Sequence, residues 1–134
     1  MEDENVKPIY QTIFGPENGN CLQATVASIF EEPLENVPHF CEGMREDWQE
    51  VYDAWLQKRG LQLMTVDARS CRRARWVPRG YHVIAGQSPR FDRQHAVVGL
   101  SGEVVHDPHP EAIGLDTEET WDVFVITLTE EGNE

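Results

Sequence analysis

The segment from Gly15 to Phe30 constrains the fold of this chain more than any other. Residues 15–20 read GPENGN, a run dense in turn-forming residues. After this run, apolar side chains recur with the spacing of one helical face, at Leu22, Val26, Ile29 and Phe30. Small residues such as Ala24 and Ala27 occupy the other sides, which is typical of a central, buried helix. The pattern predicts a helix over Cys21–Phe30, with Asn18 or Asn20 as its N-terminal cap.

A second helix is predicted over Glu46–Arg59, because an apolar stripe follows helical spacing there and Gly60 provides a stop. Between the two helices, Pro33 and Pro38 bracket a turn or single helical turn over residues 34–37.

From residue 61 onward the pattern changes to short runs of β-branched and aromatic residues. Strands are predicted at Leu61–Val66, Tyr81–Ala85, Ala96–Leu100, Glu103–His106 and Val123–Leu128. The dipeptide Ser101-Gly102 lies between two of these runs and indicates a tight hairpin turn. Helices first and an antiparallel sheet second is the order of an α+β fold.

The chain length of 134 residues fits a single domain over residues 1–134, with short acidic tails at 1–5 and 130–134. A hydrophobic content of 40% is that of an ordinary globular protein. The N-terminal residues are acidic, whereas a signal peptide begins with basic and then apolar residues. The three cysteines are too few and too widely spaced for a disulfide framework. We therefore expect a cytoplasmic protein with free thiols and no membrane association.

The net charge of −13 argues against nucleic-acid binding, which requires clustered Lys and Arg. Nine of the eleven basic residues nevertheless fall within residues 58–93, together with only two acids, so this segment carries +7 and the remainder −20. Two interpretations stay open. The two parts attract each other or solvate opposite faces, or the basic segment forms a rim that recruits an acidic partner.

Cys21 lies at the start of the first predicted helix. The unpaired N–H groups and the positive end of the helix dipole favour a thiolate there. Free cysteines are nonetheless commonly small core residues, so this position alone is a weak signal.

His95 and Asp107 flank the predicted hairpin. His95 precedes the strand Ala96–Leu100, and Asp107 follows the strand Glu103–His106. Antiparallel pairing places these two ends side by side. A carboxylate beside an imidazole can fix its tautomer and stabilise its protonated form, as a nucleophile–base–orienter triad requires.

Three short motifs resemble papain-like cysteine peptidases: residues 18–24 (NGNCLQA), 95–98 (HAVV) and 105–108 (VHDP). The resemblance is closest to the bacterial type that processes bacteriocin leaders at a double glycine, and it extends from about Gln11 to Pro110. The GNCL run is also similar to the nucleophile loop of ovarian-tumour-type deubiquitinases, which share the broad fold.

The resemblance implies an α+β papain-like domain in which Cys21 is the nucleophile, His95 the general base and Asp107 the orienting residue. It further implies a peptide or protein substrate, hydrolysis of a peptide or isopeptide bond, and no cofactor. The Cys21 amide would supply half of an oxyanion hole. The family's second donor is a Gln about six residues before the Cys, where this chain has Gly15. Gln11 is the first candidate to replace it and Asn18 the second.

Other polar residues admit additional roles. Arg90 lies in a predicted loop before His95, and His109 follows Asp107, so both are candidates for substrate contact. His39 with Cys41, or His106 with His109, could suggest zinc, but none of these pairs has the spacing of a structural zinc site. The main alternative to an enzyme is a catalytically silent module of the same fold that binds a peptide or protein partner.

Overall fold

The computed structural model describes residues 7–127, which form an α+β fold with one five-stranded antiparallel sheet. The α-helices are α1 (Cys21–Phe30), α2 (Trp48–Gln57) and α3 (Ala68–Arg73). The strands are β1 (Leu61–Asp67), β2 (Tyr81–Gln87), β3 (Gln94–Leu100), β4 (Glu103–His106) and β5 (Thr117–Ile126). Short 3-10 helices occupy Leu34–Asn36 and Glu42–Met44. Within the described range, none of the helices has the length and apolar character needed to cross a membrane.

The strands lie in the order β1-β5-β2-β3-β4. The last strand of the chain therefore inserts between β1 and β2, and the β3–β4 hairpin forms one side of the sheet. Ser101 and Gly102 form the hairpin turn with positive φ angles of 51° and 87°, as the Ser-Gly dipeptide predicts. This topology places the start of β3 and the end of β4 next to each other.

Helices α1 and α2 pack on one face of the sheet and enclose the larger apolar core. Val26 and Ala27 of α1 and Leu56 of α2 are fully buried against strand residues such as Val83. The Thr25 hydroxyl donates to the Ala96 carbonyl at 3.2 Å and fixes α1 over β3. The small residues of α1 thus allow the close approach that the sequence predicts.

The opposite face carries the short helix α3 and a smaller core around Trp121, which is fully buried with Ile84, Val97 and Ala68. Asp67 caps α3 by accepting a hydrogen bond from the Ser70 amide at 2.8 Å. This helix was not predicted.

The predicted elements otherwise match the described ones closely, with two corrections. Helix α1 has the predicted bounds, but α2 is two residues shorter at each end than Glu46–Arg59. Strand β5 begins at Thr117 rather than at Val123, because Thr117, Glu118 and Thr120 pair with β2 and Thr120 also pairs with β1. The predicted end of this strand, Leu128, lies outside the described residues, as do both predicted tails.

Candidate active site

Cys21 is the first residue of α1 and is half-buried at the edge of a cleft. The first intrahelical hydrogen bond is donated by the Ala24 amide to the Asn20 carbonyl. The amides of Cys21 to Gln23 therefore precede the helical hydrogen-bond ladder, and they point outward at the positive end of the helix.

Asn20 occupies the N-cap position, but its side chain does not cap the helix. Its Oδ1 instead accepts from the amides of Thr12 and Ile13 at 3.0 and 2.9 Å. The predicted N-cap position is confirmed for Asn20, but its side chain makes no capping hydrogen bond, and Asn18 Oδ1 accepts from the Gly43 amide. Buried Asn20 instead holds the segment around residues 11–13 beside Cys21.

His95 and Asp107 meet through a hydrogen bond of 2.7 Å, which His95 Nε2 donates to Asp107 Oδ1. Both side chains are buried, with relative exposures of 7% and 4%. Asp107 also accepts from the amides of His109 (2.9 Å) and Gly114 (2.8 Å), so the carboxylate is fixed before any substrate binds. The predicted proximity of the two hairpin ends is confirmed.

The Cys21 side chain lies close enough to the His95 ring to raise the pKa of the imidazole, and both residues line the same cleft. Because Nε2 is occupied by Asp107, Nδ1 is the ring atom left to face the sulfur. The three side chains thus form one continuous line, from the thiol through the imidazole to the carboxylate.

The electrostatics of this line favour a protonated imidazole. Burial works to lower the pKa of His95, but the hydrogen bonds to Asp107 and Cys21 and their negative charges outweigh it and raise that pKa to about 9. The pKa of Asp107 is held below its usual range, because the hydrogen bonds from His95 and the two amides outweigh the opposing effect of burial. At neutral pH these interactions favour an imidazolium paired with the Asp107 carboxylate.

Gln11 is buried and lines the same cleft as Cys21 and His95. Its backbone amide donates to the Pro108 carbonyl at 3.0 Å, which ties this segment to the residue after Asp107. Its Nε2 donates to the Ile13 carbonyl, and its buried Oε1 has no partner within residues 7–127. An amide nitrogen carries two hydrogens, so one remains for an oxyanion.

Gln11 shares the cleft with Cys21, and the turn before Cys21 is compact. A Cβ added at Gly19 would lie 2.9 Å from the Gly15 carbonyl oxygen and 3.8 Å from Gln11 Nε2, so this position requires glycine. Asn18 does not line the cleft, and its carbonyl accepts from His39 Nε2 at 2.9 Å. Of the two predicted oxyanion donors, the structure brings only Gln11 to the cleft.

The cleft has a volume of about 660 Å³, within the range of ligand sites in proteins. Both predicted substrate-contact residues line it. Arg90 is ion-paired through Nε with Glu111 at 3.0 Å, while its buried Nη2 has no partner within residues 7–127. Half-buried His109 contacts the exposed Phe14 ring edge-on, with 5.1 Å between centroids.

Two further cleft residues were not identified from the sequence as parts of this site. Cys41 lines the same cleft as Cys21, and burial together with the Cys21 charge raises the pKa of the Cys41 thiol to about 11. Asp122 of β5 reaches the cleft from the floor of the sheet. The available signal for Asp122 was a lone acid in the otherwise apolar run 121–126.

The histidines considered for zinc bind backbone groups instead. His39 donates to Asn18, and His106 Nε2 donates to the Ile9 carbonyl at 2.8 Å. Among residues 7–127, no three His, Cys, Asp or Glu side chains converge as metal ligands would.

Comparison of this chain with protein-family models, with curated proteins and with solved structures found no match.

Proposed function

We propose that this protein is a papain-like cysteine hydrolase that cleaves peptide or isopeptide bonds of a peptide or protein substrate. The observation that carries the proposal is the 2.7 Å hydrogen bond between His95 and Asp107, with the Cys21 thiol close to the same imidazole beside an open cleft. A helix bearing the thiol, packed on an antiparallel sheet bearing the imidazole, further supports the papain-like assignment.

The proposed reaction begins with attack of the Cys21 thiolate on the substrate carbonyl carbon. A C–S bond forms, and the carbonyl π electrons move to the oxygen. When the intermediate collapses, the C–N bond breaks and the departing amine takes the proton of the His95 imidazolium. The acyl group remains on Cys21 as a thioester.

Hydrolysis of the thioester reverses the role of His95. The neutral imidazole accepts a proton from a water molecule while the water oxygen adds to the thioester carbonyl. Collapse of this second intermediate breaks the C–S bond, releases the carboxylic acid and restores the thiolate–imidazolium pair. An amine in place of water would give transfer rather than hydrolysis.

The oxyanion of each intermediate needs donors on one side of the attacked carbon. The Cys21 amide at the helix start and the second hydrogen of Gln11 Nε2 are the donors that this chain offers. Since Cys21 must remain reduced to act, we extend the proposal to a reducing compartment such as the cytoplasm.

The pH dependence of iodoacetamide alkylation, followed at each cysteine by mass spectrometry, tests the proposal. Cys21 should react well below the ordinary thiol pKa of ~8.5, and the variants His95→Ala and His95→Gln should lose this advantage. Cys41 is an internal control in the same cleft, because its pKa of about 11 predicts reaction only in strong alkali. A Cys21 that reacts like an ordinary thiol in all three proteins would refute the hydrolase and favour the silent binding module.

A further inference from the structure

The floor of the cleft contains a carboxylate that the proposed reaction does not use. Asp122 lies on β5 opposite Val83 of β2 and Thr65 of β1, on the face that also carries α1 and α2. Its Oδ1 accepts from the Thr65 hydroxyl at 2.8 Å, and its Oδ2 accepts from the Tyr52 hydroxyl at 3.3 Å. Two hydroxyl groups therefore orient this carboxylate at the cleft floor.

The negative charge of Asp122 has no compensating cation in the described part of the chain. Within residues 7–127, no Lys, Arg or His side chain forms an ion pair with it. Burial and the nearby Asp53 both raise the pKa of Asp122, and the two hydroxyl donors oppose them only in part. A half-buried carboxylate in this condition gains more from a cationic ligand than an exposed one would.

The position of Asp122 relative to the triad suits one substrate side chain. Strand β5 is separated from β3, which carries His95, by β2 alone. Two strand spacings amount to about 10 Å. The residues between them, Ala85 and Thr120, are small and line the cleft, so the floor is open along this path.

The walls above the floor suit a long aliphatic stem. Leu22, Trp48 and exposed Met44 line the cleft. A lysine or arginine side chain buries its methylene groups against such surfaces and keeps its charge for a polar partner.

The other charged residues of the cleft are placed differently. The carboxylates of Glu17 and Glu46 also line the cleft but are exposed, whereas Asp122 is half-buried. Arg45 is ion-paired with Asp47 at 2.6 Å, and Arg90 with Glu111 at 3.0 Å. Arg93 donates to Met44 Sδ, in the segment that forms the cleft wall. These arginines lie on loops, whereas Asp122 lies on the sheet.

We propose that Asp122 determines substrate specificity by binding the ammonium or guanidinium group of a lysine or arginine side chain next to the bond attacked by Cys21. This inference rests on the proposed hydrolase function and names its substrate class: a peptide with a basic residue near the scissile bond.

Equilibrium binding to the Cys21→Ala protein tests this specificity without requiring any catalysis. The probes are acetylated, amidated pentapeptides of alanine with one lysine, norleucine or glutamate, placed at each position in turn and titrated by isothermal calorimetry. For at least one position, the lysine peptide should bind about tenfold more tightly than its norleucine counterpart, and the glutamate peptide most weakly.

The double variant Cys21→Ala/Asp122→Asn should bind lysine and norleucine peptides equally, because the amide keeps the shape but removes the charge. Asp116→Asn is the matched control, since Asp116 is exposed and does not line the cleft; it should preserve the lysine preference. Equal binding of lysine and norleucine peptides to the Cys21→Ala protein, or no binding of any probe at millimolar concentration, would overturn the inference even if the Asp122 variant failed to fold.

The outcome is separable from that of the proposed function. A lysine preference that depends on Asp122, found together with an ordinary Cys21 thiol, would keep the specificity site and refute the hydrolase. A reactive Cys21 without a lysine preference would keep the hydrolase and refute the specificity site.

Discussion

Two buried histidines lie at opposite ends of the β2–β3 ladder and differ in almost every chemical respect. His82, near the start of β2, pairs with Gly99, and His95, near the start of β3, pairs with Gly86. Their relative exposures are 0% and 6%. Burial lowers the pKa of His82, whereas the pKa of His95 is raised to about 9 despite burial.

The difference arises from the groups that meet each ring. His82 Nδ1 donates to the Gly80 carbonyl at 3.1 Å, and its buried Nε2 has no partner within residues 7–127. The positive charge of Arg72 lowers the pKa of His82 further, and the Gly80 hydrogen bond and the Glu118 charge oppose this only in part. His95 instead lies between the carboxylate of Asp107 and the thiol of Cys21. Burial alone therefore does not determine whether a histidine is protonated. When an anion is hydrogen-bonded to the ring, burial strengthens the attraction between the anion and the imidazolium; when the ring has no such partner, burial favours the neutral form.

The substitution Asp107→Asn should remove most of the pKa difference between His95 and His82, and we expect it to have the largest effect of the variants considered. A neutral amide cannot balance an imidazolium, so the pKa of His95 should fall toward that of His82. Alkylation of Cys21 at pH 6.5 should then slow on the order of 100-fold. Mass spectrometry of each cysteine measures the rate, with Asp116→Asn as the control for a lost surface charge. An unchanged rate in Asp107→Asn would show that the carboxylate does not support the thiolate.

The substitution Gln11→Ala should weaken binding of an oxyanion without changing the proposed Cys21–His95 ion pair. We expect its effect to be smaller than that of Asp107→Asn. A peptide aldehyde, such as acetyl-Ala-Ala-lysinal, adds to Cys21 to give a tetrahedral adduct whose oxygen needs donors. Its dissociation constant should rise roughly 10- to 100-fold in Gln11→Ala, while iodoacetamide alkylation, which forms no oxyanion, should stay unchanged. Asn18→Ala is the matched comparison and should leave aldehyde binding unaffected. The reverse ranking of the two variants would assign the donor to Asn18.

The substitution His82→Phe tests the other half of the comparison, the neutral buried histidine. Its effect should be the smallest and should appear in the pH dependence of stability. Since the folded-state pKa of His82 is below the ordinary value of 6.5, the stability linked to its neutral form is present above pH 6.5 and lost as the pH falls. Between pH 6.5 and the folded-state pKa of His82, each pH unit of acidification lowers the free energy of unfolding by about 1 kcal/mol. Phenylalanine does not titrate and can keep the edge contact with Trp121, which is 5.7 Å between ring centroids.

Urea unfolding at pH 7.5 and 5.5 measures this effect: the change in the free energy of unfolding between the two pH values is compared for the wild type and His82→Phe. The free energy of unfolding of the wild type should decrease more on acidification than that of His82→Phe. Parallel decreases in both proteins would mean that His82 is not held neutral in the folded state.

The sequence was sufficient for those parts of the site that lie at element boundaries. Cys21 begins a helix with unmistakable periodicity, and His95 and Asp107 flank a hairpin whose turn residues are explicit, so their positions follow from local rules. The α+β class followed from the same change of pattern along the chain.

The remaining parts depended on contacts that local rules do not contain. Cys41 and Asp122 reach the cleft because of the tertiary fold: Cys41 lies in the loop before α2, and β5 inserts between β1 and β2 at the cleft floor. The polar start of β5 resembles a loop in sequence, yet it pairs with β2, and Thr120 and Asp122 line the cleft. Asn20 looks like an ordinary helix cap, but the Thr12 and Ile13 amides compete successfully for its side chain.

The protonation state of His95 is the most direct test of the proposed ion pair. Histidine-selective isotope labelling and an NMR pH titration would report His95 and His82 in the same sample. We predict that His95 has a pKa near 9, that His82 has a pKa below 6.5, and that Cys21→Ala lowers only the pKa of His95. A His95 that titrates at or below 6.5 in the native protein would contradict the thiolate–imidazolium pair and the hydrolase built on it.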